Sequence, residues 1–582
     1  MPTGSESDYK NTQNRTSTRL PNEVICLTLL LKPNLYFMKT PILFIASLLA
    51  CTFSAVASIL PDDDLYRDIP FDMPQVVRPS FPDYEVNICD FGAVSDGRTL
   101  CTEAFERAIT HVHEQGGGTV VVPAGLWYTG PIELLSNVRL HTEYGALVQF
   151  TSDLDAYKII DTSFEGLDTR RCQSPLFAYK AHNIAITGHG TFDGCGEDWR
   201  PVKKSKVTSK QWKELLAKGN ITNEKGNIWY PSEESRKGSE ACYDFNVPDN
   251  ITTDAEWESI KRWLRPTLLN FIACDTVLLE GATFKNSPAW CLHPLMCSYL
   301  TIDKVQVSNP WYAQNGDALD IESCRNVIVT NSTFDAGDDA ICIKSGKDED
   351  GRRRAVPCEN VIIRNNTVLH GHGGFVVGSE MSGGVRNILI SHCCFIGTDV
   401  GLRFKSTRGR GGVVENIYIN HIVMTNIPEE ALLFDLFYGK KGKETAHETP
   451  AVSDETPIFR NIHIDNVVCR GAGRAMYFNG LPEMKISDVF IDNVTILKAQ
   501  SGIVINQAQG IKIEDTVVES AQNNVLNLSN AIDIFIEQLT SLPEATVSIG
   551  EGCEKISIED SNIDKDNIII NESVSEKEIK IK

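Results

Sequence analysis

Asn326-Val327-Ile328-Val329-Thr330-Asn331 returns as Asn360-Val361-Ile362-Ile363-Arg364-Asn365, and again as Asn387-Ile388-Leu389-Ile390-Ser391-His392. Three more copies follow, opening at Asn416, Asn461 and Asp488. Each is a short β-branched run opened by Asn or Asp and closed by a polar turn. Successive openings lie 34, 27, 29, 45 and 27 residues apart, so the repeat is loose and tolerates insertions between some of its turns. One such unit cannot bury its own apolar side chains, whereas stacked copies share a continuous core. Near-continuous Val, Ile and Leu without intervening helices predicts parallel strands. A propeller would need tight hairpins, and Asn-Gly hairpin turns are scarce here. The expected fold is therefore all-β, a right-handed parallel β-helix. Asn at a shared phase further predicts a ladder of side-chain amides running from coil to coil.

Outward from the repeats, Asp90-Phe91-Gly92-Ala93 reads as a strand and Glu103 to Gln115 as an amphipathic helix that caps the open edge of the first coil. Gly116-Gly117-Gly118 ends that helix, and Thr119 to Val122 starts the first strand. Residues 196–265 interrupt the repeats with a polar segment carrying Trp199, Trp212, Trp229, Trp257 and Trp263. It reads either as a surface excursion or as a lid over one end of a groove. Residues 347–356, with Arg352-Arg353-Arg354, are a smaller excursion. The expected organisation is a signal region over 1–57, a linker over 58–84, and one domain over 85–582.

Met38-Lys39 opens a short basic stretch, Ile42 to Ala50 is apolar, and Ala55-Val56-Ala57 offers a small-residue cleavage site before Ser58. Translation from Met38 and a secreted or periplasmic product are the expectation. Leu48-Leu49-Ala50-Cys51 is the alternative, a lipid-bearing Cys51 that would tie the protein to a membrane. A net charge of −22 over 582 residues excludes a phosphate-binding face and hence a nucleic-acid partner. An acidic substrate must then be held by a local cationic cluster. The 17 cysteines show no zinc-type spacing, so buried free thiols are expected, with one or two disulfides open in an oxidising compartment. No metal or cofactor is expected, and the chain reads as a monomer.

Four charged clusters lie about one coil apart: Asp317 in Asn315-Gly316-Asp317, the pair in Gly337-Asp338-Asp339, His372 in Gly371-His372-Gly373, and Arg403 with Lys405 around Phe404. Asp338 lies 12 residues after Asn326 and His372 lies 12 after Asn360, so both should occupy one corner of successive coils. Adjacent Asp residues on a strand point to opposite sides, whereas Arg403 and Lys405, two apart, share a face. Glycoside hydrolysis needs one protonated carboxyl at the leaving oxygen and one carboxylate to activate water or attack. Crowded carboxylates supply the proton by raising at least one pKa. Arg403 can grip a uronate in bidentate fashion and Lys405 adds a point charge.

These motifs, over roughly residues 85–540, resemble the polygalacturonase family, glycoside hydrolase family 28. Its Asn-Thr-Asp is here Asn315-Gly316-Asp317, its Gly-Asp-Asp is Gly337-Asp338-Asp339, its Gly-His-Gly is Gly371-His372-Gly373, and its Arg-Ile-Lys is Arg403-Phe404-Lys405. A family tyrosine matches Tyr438. The resemblance implies hydrolysis of α-1,4-galacturonide bonds in pectic polysaccharide or oligogalacturonide, with inversion. It implies Asp338 as general acid, Asp317 and Asp339 as bases, His372 in support, and Arg403, Lys405 and Tyr438 as galacturonate binders, with Asn315 beside them. Gly316 departs from the family's Thr. Coil stacking near ~4.8 Å by itself hints at the short carboxyl separation of retaining enzymes, about 5–5.5 Å, against roughly 6.5–9.5 Å for inverting ones. Exo action follows if the 196–265 insertion blocks one groove end. A rhamnogalacturonan-directed hydrolase, a calcium-dependent pectate lyase and a non-catalytic carbohydrate-binding β-helix are the alternatives.

Overall fold

Three strands per turn of the chain pair with their counterparts one coil later, giving three ladders of parallel strands joined in one 35-stranded sheet. The computed structural model describes residues 62–242, 246–439 and 449–582, all within the unit Ala57–Lys582. The signal region, Met38 and Cys51 lie outside the described residues. The first ladder runs through Ser298–Asp303, Arg325–Thr330 and Cys358–Arg364. The second runs through Gln306–Ser308, Thr333–Asp335 and Thr367–His370. The third runs through Leu319–Glu322, Asp339–Lys344, Gly373–Gly378 and Val400–Lys405.

On the third ladder the pleat sorts side chains by sign of hydropathy. Leu319, Ile321, Ile341, Ile343, Phe375, Val377, Leu402 and Phe404 join the buried core, which leaves Asp320, Glu322, Lys344, Arg403 and Lys405 to the other face. Inside, the ring of Phe404 stacks on Phe434 at 4.6 Å and Phe434 on Phe478 at 4.7 Å.

The Asn repeats turn the corners. Asn326, Asn360, Asn387, Asn416 and Asn461 all adopt left-handed backbone, φ from 51° to 57°. Among ordinary residues Asn enters that region most readily. Their amides bond coil to coil: Asn360 Nδ2 donates to Asn326 Oδ1 at 3.1 Å, Asn387 to Asn360 at 3.0 Å, and Asn416 to Asn387 at 3.2 Å. The runs also close in left-handed backbone, at Asn331, Asn365, His392, His421, Asn466 and Asn493.

The helix Thr102–Glu114 buries Ala104, Phe105, Ala108, Ile109 and Val112 on the first coil. Asp90-Phe91 is not a strand. It closes a 3₁₀ turn over Ile88–Phe91, whose start is capped by the Asn87 side chain accepting from the Cys89 amide. The strand precedes it at Glu85–Asn87 and pairs with Gly118–Val122. Nor are residues 62–84 a free linker. Leu65 and Val76 are buried against Ile328 and Ile362, and Arg364 donates to the carbonyls of Asp64, Leu65 and Arg67.

The insertion packs on a second core that it shares with residues 154–172. Trp199, Tyr230, Trp257 and Trp263 pack with Tyr157 and Cys172, and Trp212 and Trp229 with Val202. Its helices Ser209–Lys218 and Asp254–Ser259 both begin in capping boxes, at Thr208 and Thr253. All 15 cysteines of the described residues are free thiols.

Candidate active site

Asp339 pairs in register with Gly373, so Asp338 and His372, each one residue earlier, meet across adjacent coils. The His372 amide donates to the Asp338 carbonyl at 2.7 Å, and His372 Nδ1 lies 3.0 Å from Asp338 Oδ1. Two glycines permit the approach. A Cβ on Gly337 would lie 2.4 Å from the Pro310 carbonyl oxygen, and Gly371 sits at φ 153° with the Asp338 carbonyl oxygen 2.9 Å from where a Cβ would stand. Gly316, where the family has Thr, is explained the same way: its Cβ would stand 2.6 Å from Ala313 Cβ.

Oxygens of Asp317, Asp338 and Asp339 all lie within 4.8 Å of one another. Asp339 accepts from Lys405 Nζ at 2.6 Å and Arg403 Nη1 at 3.3 Å. Arg403 also donates to the His372 carbonyl at 3.2 Å. The Tyr438 ring underlies both cations, 4.8 Å from Lys405 Nζ and 5.7 Å from Arg403 Cζ. Arg403 and Lys405, expected to meet a substrate carboxylate, thus already serve a carboxylate of the protein. All eight residues singled out in the sequence border one cleft or its immediate wall.

The electrostatics separate the carboxyls. Asp317 is only 3% exposed, and its Oδ1 has no hydrogen-bond partner. Burial, then the neighbouring Asp320 and Asp338, push its carboxyl well above the usual range. Burial also pushes Asp338 upward, but His372, Lys405 and Arg403 outweigh it and hold that carboxyl below the usual range. The Asp338 hydrogen bond in turn raises His372. These surroundings favour the protonated form of Asp317 and the ionised form of Asp338.

Several participants went unread in the sequence. Asp320 is fully buried with neither oxygen hydrogen-bonded, and Lys344 Nζ stands 3.6 Å from it and 2.8 Å from Glu380. Asp320 follows Asp317 by three residues and Glu380 follows Gly378-Ser379, so motif neighbours carried that signal. Glu165 could not be found that way. It stands at the tip of the hairpin formed by Ile159–Phe164 and Leu167–Cys172, and accepts from Asn246 Nδ2 at 2.6 Å and Asn315 Nδ2 at 3.2 Å. Asn315 Oδ1 accepts from Arg265 Nη2 at 2.9 Å. No repeat phase links these segments.

The cleft measures about 530 Å³, and its lining includes Lys203, Ser239, Cys242, Asn246 and Trp263 of the insertion. Lys405, Arg410 and Tyr438 line the same cleft. The lining sets five cations, Lys203, Lys344, Lys347, Lys405 and Arg410, beside five acids, Glu165, Asp317, Asp338, Asp339 and Glu380, a concentration of positive charge within a chain of net charge −22. Such a recess suits a small anionic sugar and supplies both a protonated and an ionised carboxyl. The three acids are also the group of ligand-type side chains that could approach a cation, but two protein cations already neutralise Asp339.

A family model described as glycosyl hydrolases family 28 matches residues 258–496. A probable polygalacturonase of Vitis vinifera is 25% identical over 423 residues, covering 71% of this chain and 74% of that protein. An exo-poly-alpha-D-galacturonosidase of Dickeya chrysanthemi is 28% identical over 376 residues, covering 63% of this chain and 59% of that protein. Among solved structures, a hyperthermoactive exopolygalacturonase of Thermotoga maritima is 31% identical with a TM-score of 0.62, covering 79% of this chain and 94% of that one. A family 28 exopolygalacturonase of Yersinia enterocolitica, 21% identical with a TM-score of 0.61 and covering 77% and 78%, shares the fold.

Proposed function

The chain belongs to glycosyl hydrolases family 28, and from that premise we propose that it hydrolyses α-1,4-galacturonide bonds of pectic polysaccharide, working from the chain end. One observation carries the reading: three carboxyls within 4.8 Å share a cleft with Lys405, Arg410, Tyr438 and five residues of the insertion. A uronate that reaches Arg403, Lys405 and Tyr438 leaves its glycosidic oxygen beside the acids, and the insertion residues in the lining limit how far a polymer extends past them. The names of the Dickeya and Thermotoga relatives support the exo assignment.

In this mechanism Asp338 is the acid. It is the half-exposed member of the set, 27% by side chain, and so the one that can reach a leaving oxygen. The uronate charge offsets Arg403 and Lys405, two of the groups that hold the Asp338 carboxyl down, and so restores its hold on a proton as substrate arrives. The proton that Asp317 holds passes to Asp338, whose oxygen lies within 4.8 Å, and Asp339, kept ionised by its two cations, then orients and deprotonates a water with the ionised Asp317. Oxygens no more than 4.8 Å apart can both hydrogen-bond one water. Asp339 is tied by two cations and Asp317 is buried, so neither is free to attack carbon. The separation of 4.8 Å or less is on the short side, where retaining enzymes lie, so inversion rests on these restraints on Asp339 and Asp317 and on the family likeness. His372 fixes the Asp338 carboxyl through its Nδ1 contact.

Among the described residues no helix is long and apolar enough to cross a membrane. Action outside the cytoplasm, as a monomer on pectic chains, belongs to the same proposal.

The deciding experiment incubates the protein with de-esterified homogalacturonan beside rhamnogalacturonan and resolves products by size and ultraviolet absorbance. Saturated galacturonate released alone from the first supports the proposal. Early mixed oligomers reject exo action, and unsaturated products reject hydrolysis.

A further inference from the structure

Lys206 belongs to the insertion and precedes residue 258, where the family match begins. Its Nζ lies 3.3 Å from His372 Nε2, on the opposite edge of the imidazole from Asp338. The placement is held by the neighbouring coil, where the indole of Trp311 donates to the Lys206 carbonyl at 2.9 Å. Trp311 belongs to the turn before Asn315 and Asp317, so the insertion is pinned to the loop that carries a proposed base.

The ammonium of Lys206 is a donor only, so in this contact Nε2 accepts while the ring proton sits on Nδ1, facing Asp338 Oδ1 at 3.0 Å. Among the described residues no carboxylate lies within ion-pair distance of Lys206. The nearest carboxylate to that edge of His372 is Asp399, with Oδ2 at 3.9 Å from Nε2. The groups that face His372 are thus Asp338, Asp399 and Lys206, with the Arg403 guanidinium at its carbonyl. Lys203, three residues before Lys206 and also from the insertion, lines the cleft itself. Lysine beside an imidazole edge is a recurrent way to receive a carboxylate, because both present N–H donors to a planar anion.

We propose that Lys206, with the Nε2 edge of His372, forms a seat for the carboxylate of the galacturonate that neighbours the one met by Arg403 and Lys405. This inference rests on the hydrolase reading above and deepens it: the insertion makes the enzyme require uronate on both sides of the bond it cuts. Lys206 is then a specificity-determining residue. The Asp338 hydrogen bond, by holding His372 toward imidazolium, strengthens the seat.

The test compares Lys206→Ala and Lys206→Arg with the unmodified protein on trigalacturonate and on the same trimer carrying methyl esters. Binding is measured by calorimetry in the Asp317→Asn background, where turnover is removed. Loss of one charge-assisted contact raises KM and Kd of Lys206→Ala by about ten- to hundredfold with kcat within about twofold. Lys206→Arg recovers most of it, and the penalty disappears on the methyl ester. A Lys206→Ala variant of unchanged KM and Kd that only shifts the pH profile overturns the seat, since Lys206 would then act solely on the charge of His372. If the unmodified protein neither binds nor cleaves any oligogalacturonate, the hydrolase reading itself falls and takes this inference with it.

Discussion

Lys405 Nζ lies 2.6 Å from Asp339 Oδ2, and the two side chains are 6% and 2% exposed. A pair sealed from water this well is costly to break, because the survivor keeps an uncompensated charge. Lys405→Met is expected to lower stability by about 3 kcal/mol, the low end of the range for such pairs because Arg403 still faces Asp339. Adding Asp339→Asn should return most of that stability in denaturant melts. Activity should stay down by about a hundredfold or more in both variants, since the substrate loses a charge it needs in the transition state.

Asp317 carries an opposite liability. Its folded-state carboxyl is raised above the ordinary 3.8 by burial, so ionising it in the native protein costs stability, and that cost grows as pH rises from 3.8 through the folded value. Asp317→Asn should therefore melt higher than the unmodified protein at pH 7 and no higher near pH 3. The same change should lower turnover by about 10²–10⁴-fold. Calorimetric melts at the two pH values and an assay on polygalacturonate check both halves.

For the His372–Asp338 pair the signs run both ways. His372 is raised above 6.5, so its contribution is complete below 6.5 and fades as pH climbs through the folded value. Asp338 is held below 3.8, so its contribution is complete above 3.8 and fades as pH falls through the folded value. The destabilisation from His372→Ala should be greatest between those limits, about 1 kcal/mol after discounting for side chains 32% and 27% exposed. Melts at pH 5 and at pH 9 should differ in the size of that effect, being larger at pH 5.

The Asn ladder invites a separation of conformation from hydrogen bonding. Asn387 at φ 57° donates to Asn360 at 3.0 Å and accepts from Asn416 at 3.2 Å. Asn387→Gly keeps the backbone and loses two bonds, about 1–2 kcal/mol. Asn387→Ala adds the left-handed penalty, about 1 kcal/mol more. Equal losses in urea melts would reject the conformational component.

Stereochemistry offers a direct reading of the acid arrangement. Inversion at an α-linkage releases the β-anomer first, visible by proton magnetic resonance before mutarotation. Early α-anomer would mean that a carboxylate attacks carbon after all.

The coils were legible because their chemistry is periodic: β-branched runs between Asn326 and Asn493 announce both the strands and the corners. Asp317, Asp338, Asp339, His372, Arg403 and Lys405 were legible for the same reason, since phase brings them onto neighbouring coils. Glu165 and Asn246 were not. They come from a hairpin and an insertion that obey no repeat, and reach the cleft only through tertiary docking such as Arg171 donating to the Asn246 carbonyl at 3.0 Å. The residues before Glu85 read as a linker because Pro-rich, weakly periodic sequence carries no sign of what it lies against. The 3₁₀ turn at Ile88–Phe91 escaped for a local reason, the Asn87 cap outweighing a short apolar run.

Arg364 spends its guanidinium on three carbonyls about 300 residues earlier in the chain and its Nε on Ser391 Oγ. Leu65 and Val76 also bury against Ile328 and Ile362, so the segment around Leu65 gains these contacts only after the ribosome has delivered the middle of the polypeptide. The first part of this unit to be synthesised is thus among the last to be locked down, and that latch closes over coils already wound.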